Sequence, residues 1–370
     1  MAKKIRVGIL FGGKSAEHEV SLQSAKNVYD AIDKNKYEVT LIGIDKQGRW
    51  YLSSEKQFLL SVDNPKLIKF KNVKENLALM PGENKKQLMK IADNRTIDLI
   101  DVIFPVLHGT FGEDGTIQGL LKLANIPFVG AGVLGSAVGM DKNVMKRLLR
   151  DAGIPIARFL TFKKHEKSDI NFSDVVDTLG LPCYVKPANL GSSVGIHRVT
   201  NKDEFDAAIE DAFLYDIKIL IEEGIEGREI ECSVLGNENP IASVPGEVIT
   251  NKEKHHFYSY QAKYLDENGA LLRIPADLSP TVTKQIQKMA VESFKAICCE
   301  GMARVDFFLK NDDQIYVNEL NTIPGFTKIS MYPKLWQASG ISYTELIDRL
   351  IQLALERFEK ENNLKTSVDL

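Results

Sequence analysis

Short apolar runs that end in glycine or in charge recur along this chain and lay out an α/β protein. Residues 5–11 are one such run, stopped by Gly12-Gly13-Lys14-Ser15, after which residues 16–32 carry apolar positions at helical spacing. Residues 39–44 return as a strand, which makes the opening a βαβ unit. Residues 53–94 are polar and predict little in detail. A second apolar strand at 99–107 enters the glycine-rich turn 108–115, a helix runs to about residue 124, and another strand begins at 126–129. Residues 1–128 therefore predict an open parallel α/β domain.

Beyond it the pattern changes. Residues 141–150 read as a helix stopped by Gly153 and Pro155, with Lys142 opposing the helix field in its first turn. Strands are expected at 183–186, 196–199, 218–222, 228–235 and 241–248, and a helix at 203–213. Residues 249–268 are polar, aperiodic and carry His255 and His256, the pattern of a lid or binding loop. A long helix at 281–299 leads to a hairpin at 303–321. Ser342 opens a last helix with Glu345 as its capping-box partner, and Ile347, Leu350, Ile351, Ala354 and Phe358 form its apolar stripe. The last dozen residues are expected to fray.

The hairpin concentrates chemistry. Alternation puts Arg304 and Asp306 on one face and Glu319 and Asn321 on one face of the return, while a turn near Asn311, Asp312 and Asp313 brings Asp306 opposite Glu319. Facing carboxylates repel unless a cation compensates them, and their oxygens with an Asn carbonyl suit Mg²⁺. An acidic edge hairpin blunted against aggregation fits the same residues.

Composition narrows the classes. With 370 residues the chain exceeds what one core usually serves, and 44% hydrophobic content is that of an ordinary globular protein. A formal charge of -3, from 47 basic and 50 acidic residues, carries no signature of nucleic-acid binding. Cys183, Cys232, Cys298 and Cys299 lack zinc or redox spacing and read as small buried residues of a reducing compartment. The N-terminal apolar run is too short for a secretory segment and no stretch is long enough to span a bilayer, so the expected location is cytoplasmic, with no membrane partner.

Three further places could carry chemistry. Gly191-Ser-Ser-Val-Gly195, preceded by Lys186, could cradle phosphate or be a plain hairpin turn; it matches neither the Walker nor the dinucleotide pattern. Glu17 could stabilise the first helix or receive a substrate ammonium at the carboxyl edge of the sheet. His108 ends an apolar strand at that same edge, where a lone histidine is commonly structural; Glu113 and Asp114 read as turn and cap residues that could orient His108 or Lys14. Lys142, Lys186 and Lys263 sit at element edges or in the expected lid, and converging cations of this kind neutralise a polyphosphate.

These residues resemble the D-alanine:D-alanine ligases of the ATP-grasp superfamily over essentially the whole chain. The similarity is carried by Gly12-Gly-Lys-Ser-Ala-Glu-His-Glu-Val-Ser21, His108-Gly-Thr-Phe-Gly-Glu-Asp-Gly115, Lys186-Pro-Ala-Asn-Leu-Gly-Ser-Ser-Val-Gly195, Tyr258-Ser-Tyr-Gln-Ala-Lys-Tyr264, Arg304-Val-Asp306 and Asn318-Glu-Leu-Asn-Thr-Ile-Pro-Gly325. It implies an ATP-grasp fold, with an N-terminal α/β substrate domain (1–128), a central lobe holding the glycine-rich loop (129–217) and a C-terminal lobe with lid and metal hairpin (218–370). It also implies that ATP phosphorylates one D-alanine, whose acyl phosphate is attacked by the amine of a second, for peptidoglycan synthesis.

By motif, Asp306, Glu319 and Asn321 would hold two Mg²⁺ ions, with Mn²⁺ as a substitute, and Lys142, Lys186 and Lys263 would bind the ATP phosphates under the loop with Ser192 and Ser193. Adenine maps to Glu222, Glu223, Gly224 and Ile225, and ribose to Glu229. Some relatives have lysine where this chain has Glu223, which leaves that contact open. Glu17, held by Ser192 and Tyr264, would pair with the first substrate's ammonium, with His108 beside it. Arg304 and the N–H of Gly325 would stabilise the oxyanion, and Ser330 with the backbone at Met331 would receive the second carboxylate. Tyr264 favours an amine nucleophile, whereas many D-alanyl-D-lactate ligases have phenylalanine there. D-Lactate or D-serine as second substrate, and a catalytically idle nucleotide-binding module, are the alternatives. The resemblance also implies a homodimer.

Overall fold

The structure, a computed structural model, describes residues 3–53, 75–82, 87–97, 100–250 and 270–365. Strands β1 (Ile5–Gly12), β2 (Tyr37–Ile44) and β6 (Val102–Val106) run parallel, with helix α1 (His18–Ala31) as the crossover. The sheet does not stop there. Strands β3 (Trp50–Ser53), β4 (Asn76–Leu79) and β5 (Leu88–Lys90) extend it antiparallel, in the order β5-β4-β3-β2-β1-β6. The expected purely parallel domain is thus a mixed sheet, and the cause is local. The Asp45 carboxylate accepts the Gln47 and Arg49 N–H groups, each at 2.9 Å, and with Gly48 at φ +84° this closes a tight turn that sends the chain back beside β2. The strand expected at 126–129 is a single parallel bridge between Ile103 and Phe128.

The middle lobe is an antiparallel sheet, β7-β10-β8-β9, made of Phe159–Lys163, Lys218–Glu223, Cys183–Pro187 and His197–Val199. Its hydrogen-bonded sheet therefore reaches Glu223, past residue 217 where the expected lobe ends. Helices Phe172–Leu179 and Lys202–Tyr215 supply Val175, Leu179, Phe205 and Phe213 to its core.

The third lobe orders its strands β14-β13-β11-β15-β16: Ala270–Arg273, Gly246–Thr250, Arg228–Gly236, Gly301–Lys310 and Gln314–Asn321. The strand expected at 241–248 is divided into β12 (Ile241–Ala242) and β13 around Pro245, which cannot donate to a ladder. Helix Pro280–Ala296 covers this sheet, capped by Ser279, and ends before Cys298, whose φ of +55° cannot continue a helix. Two earlier helices, Val133–Met140 and Lys142–Asp151, also pack here: Val138, Met145 and Leu149 share a core with Ile230, Phe294 and Val305. Among the described residues no helix is long and apolar enough to cross a membrane.

The last helix, Tyr343–Asn362, closes the first domain. Its Leu346, Ile347, Leu350 and Ile351 join Val7, Ile9 and Phe104 in one core, so the two ends of the chain fold together. Ser342 caps it by accepting the Glu345 N–H at 3.2 Å, but the Glu345 carboxylate receives Arg349 at 2.7 Å instead of completing the box. Beyond Ala354 the buried stripe passes to Arg357, with Phe358 only half-buried. The Arg357 guanidinium donates to the Gly130 and Phe128 carbonyls at 2.6 and 2.8 Å and lies 4.6 Å from the Phe128 ring centroid. It pins the domain junction. Replacing Arg357 by Met strands these carbonyls and is expected to cost about 3 kcal/mol of stability, read as a lower urea midpoint; an unchanged midpoint contradicts that role.

Candidate active site

The hairpin of β15 and β16 is the centre of the site. Asn311 and Asp312 both have positive φ, +52° and +60°, as a tight hairpin turn requires, and the ladder then pairs Lys310 with Gln314 and Phe307 with Val317. Continued without a break, that register would set Asp306 opposite Asn318. A bulge intervenes, and Asp306 pairs with Glu319 and Arg304 with Asn321. Burial follows the shift: Ile315 and Val317 face the core before the bulge and Leu320 after it, which releases Glu319 and Asn321 to the face of Arg304 and Asp306.

Charge compensation holds this face together. The Arg304 guanidinium grips Asp306 with two bonds of 2.7 Å and lies 3.0 Å from a Glu231 oxygen. Glu231 is opposite Asp306 on β11, so three acids, Glu231, Asp306 and Glu319, form one row across three strands. The Asn321 amide donates to Asp306 at 3.1 Å, and the Lys142 ammonium stands 3.5 Å from Glu319. Glu231 was not among the expected residues, although its place two residues after Glu229 on a strand aims both at one face.

Lys142 opens its helix after Asp141, whose carboxylate caps the helix by accepting the Val144 N–H at 3.1 Å. The Lys142 side chain also donates to the Leu190 carbonyl at 2.7 Å, which ties it to the glycine-rich loop. In that loop Ser192 and Ser193 have φ of +53° and +59°, strained for residues with side chains, and Ser192 donates its hydroxyl to Glu17. Together with Lys186, Glu222, Glu223, Ile225 and Glu229, these residues line a cleft of about 560 Å³ that also takes in Lys142, Asp306 and Glu319. Gly224 sits behind it, its N–H bonded to the Pro182 carbonyl at 2.9 Å. The Glu223 carboxylate is engaged by Arg158 at 2.6 and 2.7 Å.

Glu222 is buried with two ammoniums, Lys146 at 2.8 Å and Lys186 at 2.7 Å. Burial pushes its carboxyl up, but the two cations outweigh that and hold it below the usual range. Sequence reading missed Lys146, though its position one helical turn after Lys142 was a usable signal.

Glu17 lies at the entry of α1 and is 7% exposed. Gly109 has a φ of +76°, and a Cβ there would come within 2.6 Å of the Glu17 carboxylate, so a side chain at this turn would be strained and would displace Glu17. The neighbouring Glu113 accepts the Gly109 N–H at 2.9 Å; desolvation, then the Glu17 charge, pushes its carboxyl well above the usual carboxylate range. Asp114 accepts from Phe111 and Thr116 N–H groups at 2.8 and 3.0 Å, a turn residue as expected.

His108 is buried with both ring nitrogens engaged, Nδ1 at 3.1 Å from the Ile323 carbonyl and Nε2 at 3.1 Å from Ser24 Oγ. A carbonyl can only accept, so Nδ1 carries the proton and Nε2 accepts from Ser24, whose oxygen in turn receives the Phe326 N–H at 3.2 Å. His108 is thus a strap from the first domain to the loop around Gly325. That loop is tight: a Cβ on Gly325 would lie 2.7 Å from Ser330 Oγ, which itself accepts the Thr327 N–H at 3.0 Å. Ser330 precedes helix Met331–Ala338, and the Met331 side chain is packed against Val248 and Leu335. Lys263, Tyr264 and most of the expected lid lie outside the described residues.

Burial pulls the His108 pKa down to about 4. The unfolded chain binds this proton near pH 6.5 and the folded one does not, so the contribution is complete above pH 6.5 and is lost as pH falls toward 4, in all about 3 kcal/mol. Urea midpoints of the protein and its His108→Asn variant are expected to converge over that range. A constant gap between them contradicts the assignment.

Comparison with known proteins covers nearly the whole chain. Residues 6–131 match the family described as D-ala D-ala ligase N-terminus, and residues 148–352 match D-ala D-ala ligase C-terminus. A D-alanine–D-alanine ligase of Oceanobacillus iheyensis is 56% identical over 364 residues, 98% of this chain and 99% of that one. The solved D-alanine-D-alanine ligase of Coxiella burnetii superposes with a TM-score of 0.85 at 42% identity, covering 98% of this chain and 97% of the other. A ligase of the same name from Bacillus anthracis, solved in complex with ATP, superposes at 0.72 and 31% identity, covering 97% and 100%.

Proposed function

Because the chain belongs to the D-alanine:D-alanine ligase family, we propose that it joins two molecules of D-alanine at the expense of ATP, by way of a D-alanyl phosphate, and releases ADP and phosphate. The dipeptide serves peptidoglycan synthesis. The observation that carries this reading is the register of Asp306 with Glu319, flanked by Arg304 and Lys142, in the cleft that also holds Lys186 and the Gly191-to-Gly195 loop.

ATP lies in that cleft, its phosphates against Lys142 and Lys186 and under Ser192 and Ser193, its adenine along Glu222 to Ile225 and its ribose at Glu229. The Bacillus anthracis relative was solved in complex with ATP, which supports ATP as the ligand. Lys263 and Tyr264 complete the site by family resemblance. The donor set also fits Mg²⁺: two carboxylates and an amide, all on one face, suit a cation that keeps several waters and takes other oxygens from phosphate. Asp306, Glu319 and Asn321 would hold it, and bound there it would neutralise charge on the transferring phosphoryl group.

Glu17, fixed by the Ser192 hydroxyl, receives the ammonium of the first D-alanine and so presents its carboxylate to the γ-phosphate. Ser330 and the Met331 N–H, at a helix start, receive the carboxylate of the second. When its amine attacks, charge develops on the carbonyl oxygen, and the Arg304 guanidinium and the Gly325 N–H stabilise it. His108 acts as a neutral strap that keeps the Gly325 loop in reach. Cytoplasmic residence and assembly as a homodimer are supported by family resemblance.

The deciding assay supplies ATP with D-alanine, D-serine and D-lactate together and identifies the products by mass: D-alanyl-D-alanine is expected, and no D-alanine-dependent ADP release would refute the reading. Glu319→Ala is expected to abolish turnover. Arg304→Ala should lower kcat by about a hundredfold or more while ATP affinity stays within about threefold; equal losses in both would reassign Arg304 to nucleotide binding.

A further inference from the structure

One buried charge in the cleft wall has no part in that chemistry. Lys146 is 1% exposed and does not line the cleft, whereas its neighbours Lys186 and Glu222 do. The three make a triad of two cations on one anion, each ammonium bonded to a different oxygen of Glu222, at 2.8 and 2.7 Å. A buried lysine beside a second lysine is costly, so a pairing that needed only to neutralise Glu222 would use one of them. The surplus charge has a direction. Lys186 is the member at the cleft surface, on the strand that leads into the glycine-rich loop, and it is the one an anionic ligand can reach.

With Lys186 alone, a phosphate that drew its ammonium away would leave the Glu222 carboxylate buried without a counter-ion. That penalty would be charged against ligand binding. Lys146 removes it, because it reaches the other Glu222 oxygen from the far side and keeps the carboxylate paired wherever Lys186 turns.

We propose that Lys146 is a positioning residue of the nucleotide site: it holds Glu222 so that Lys186 is free to be shared with the ligand's phosphates. The inference rests on reading the cleft as the ATP site, and its test therefore measures binding directly. Calorimetric titration of the full chain with ADP compares the natural protein with Lys146→Met, Glu222→Gln and the double variant. Lys146→Met keeps a one-to-one Lys186 and Glu222 pair and is expected to melt close to the natural protein, yet to bind ADP about tenfold or more weakly. Adding Glu222→Gln removes the charge that needs compensation, and the double variant is then expected to bind within about threefold of Glu222→Gln alone.

Unchanged ADP affinity in Lys146→Met overturns the proposal. So does a double variant that binds ADP more than about threefold more weakly than Glu222→Gln alone, since Lys146 would then be acting through packing. If Lys146→Met does not fold, the double variant and Glu222→Gln still decide: equal affinity supports the proposal and a weaker double variant overturns it. A natural protein that binds no ADP refutes the reading of the cleft itself, and this inference with it.

Discussion

Everything in the site follows from setting Asp306 directly opposite Glu319. The bulge at Asn318 does this by spending one unpaired residue, which reverses the inside and outside of β16 so that Leu320 takes over the core from Val317 while Glu319 and Asn321 turn to the face of Arg304 and Asp306. Two facing carboxylates, with Glu231 extending the row, repel one another. Arg304, gripping Asp306 and close to Glu231, and Lys142, close to Glu319, offset that repulsion in the protein alone. Cations so placed are also what phosphoryl transfer requires, and the proposed function draws on them for that.

That row gains its meaning from contacts between lobes. Ser192 of the middle lobe holds Glu17 of the first; His108 and Ser24 of the first hold Ile323 and Phe326 of the third; Arg357 of the last helix holds Phe128 and Gly130 at the junction. Each is a polar bond between parts of the fold, and those of His108 and Arg357 are buried, where such bonds are worth most. Glycines complement these bonds, since a Cβ at Gly109 or Gly325 would come within 2.6 or 2.7 Å of the Glu17 carboxylate or Ser330 Oγ and push it aside.

Much of this was legible in the sequence. Alternation and the turn at Asn311 and Asp312 bring Asp306 close to Glu319, but the register they set alone ends one residue short, at Asn318. The bulge itself left no sign beyond Asn318. Strands β3 to β5 were hidden, since each is only three or four residues long and β3 is set beside β2 by the Asp45 turn instead of by periodicity. The helix Val133–Met140 went unread because it is apolar on nearly all sides and carries two glycines, so no amphipathic stripe marks it. Lys146 and Glu231 were missed for a different reason: each is significant through a partner far away in sequence, Glu222 and Arg304, which no spacing reveals. Lys263 and Tyr264, read by resemblance, lie outside the described residues.

Ligation through a D-alanyl phosphate requires that the γ-phosphoryl group of ATP move onto the carboxylate of the first D-alanine. It is tested most directly with D-alanine carrying ¹⁸O in both carboxylate oxygens. If the carboxylate is activated as an acyl phosphate, one labelled oxygen leaves with each phosphate as the peptide bond forms, and mass analysis finds a single ¹⁸O in the phosphate released during dipeptide synthesis. Phosphate without label, recovered alongside labelled dipeptide, would contradict the account.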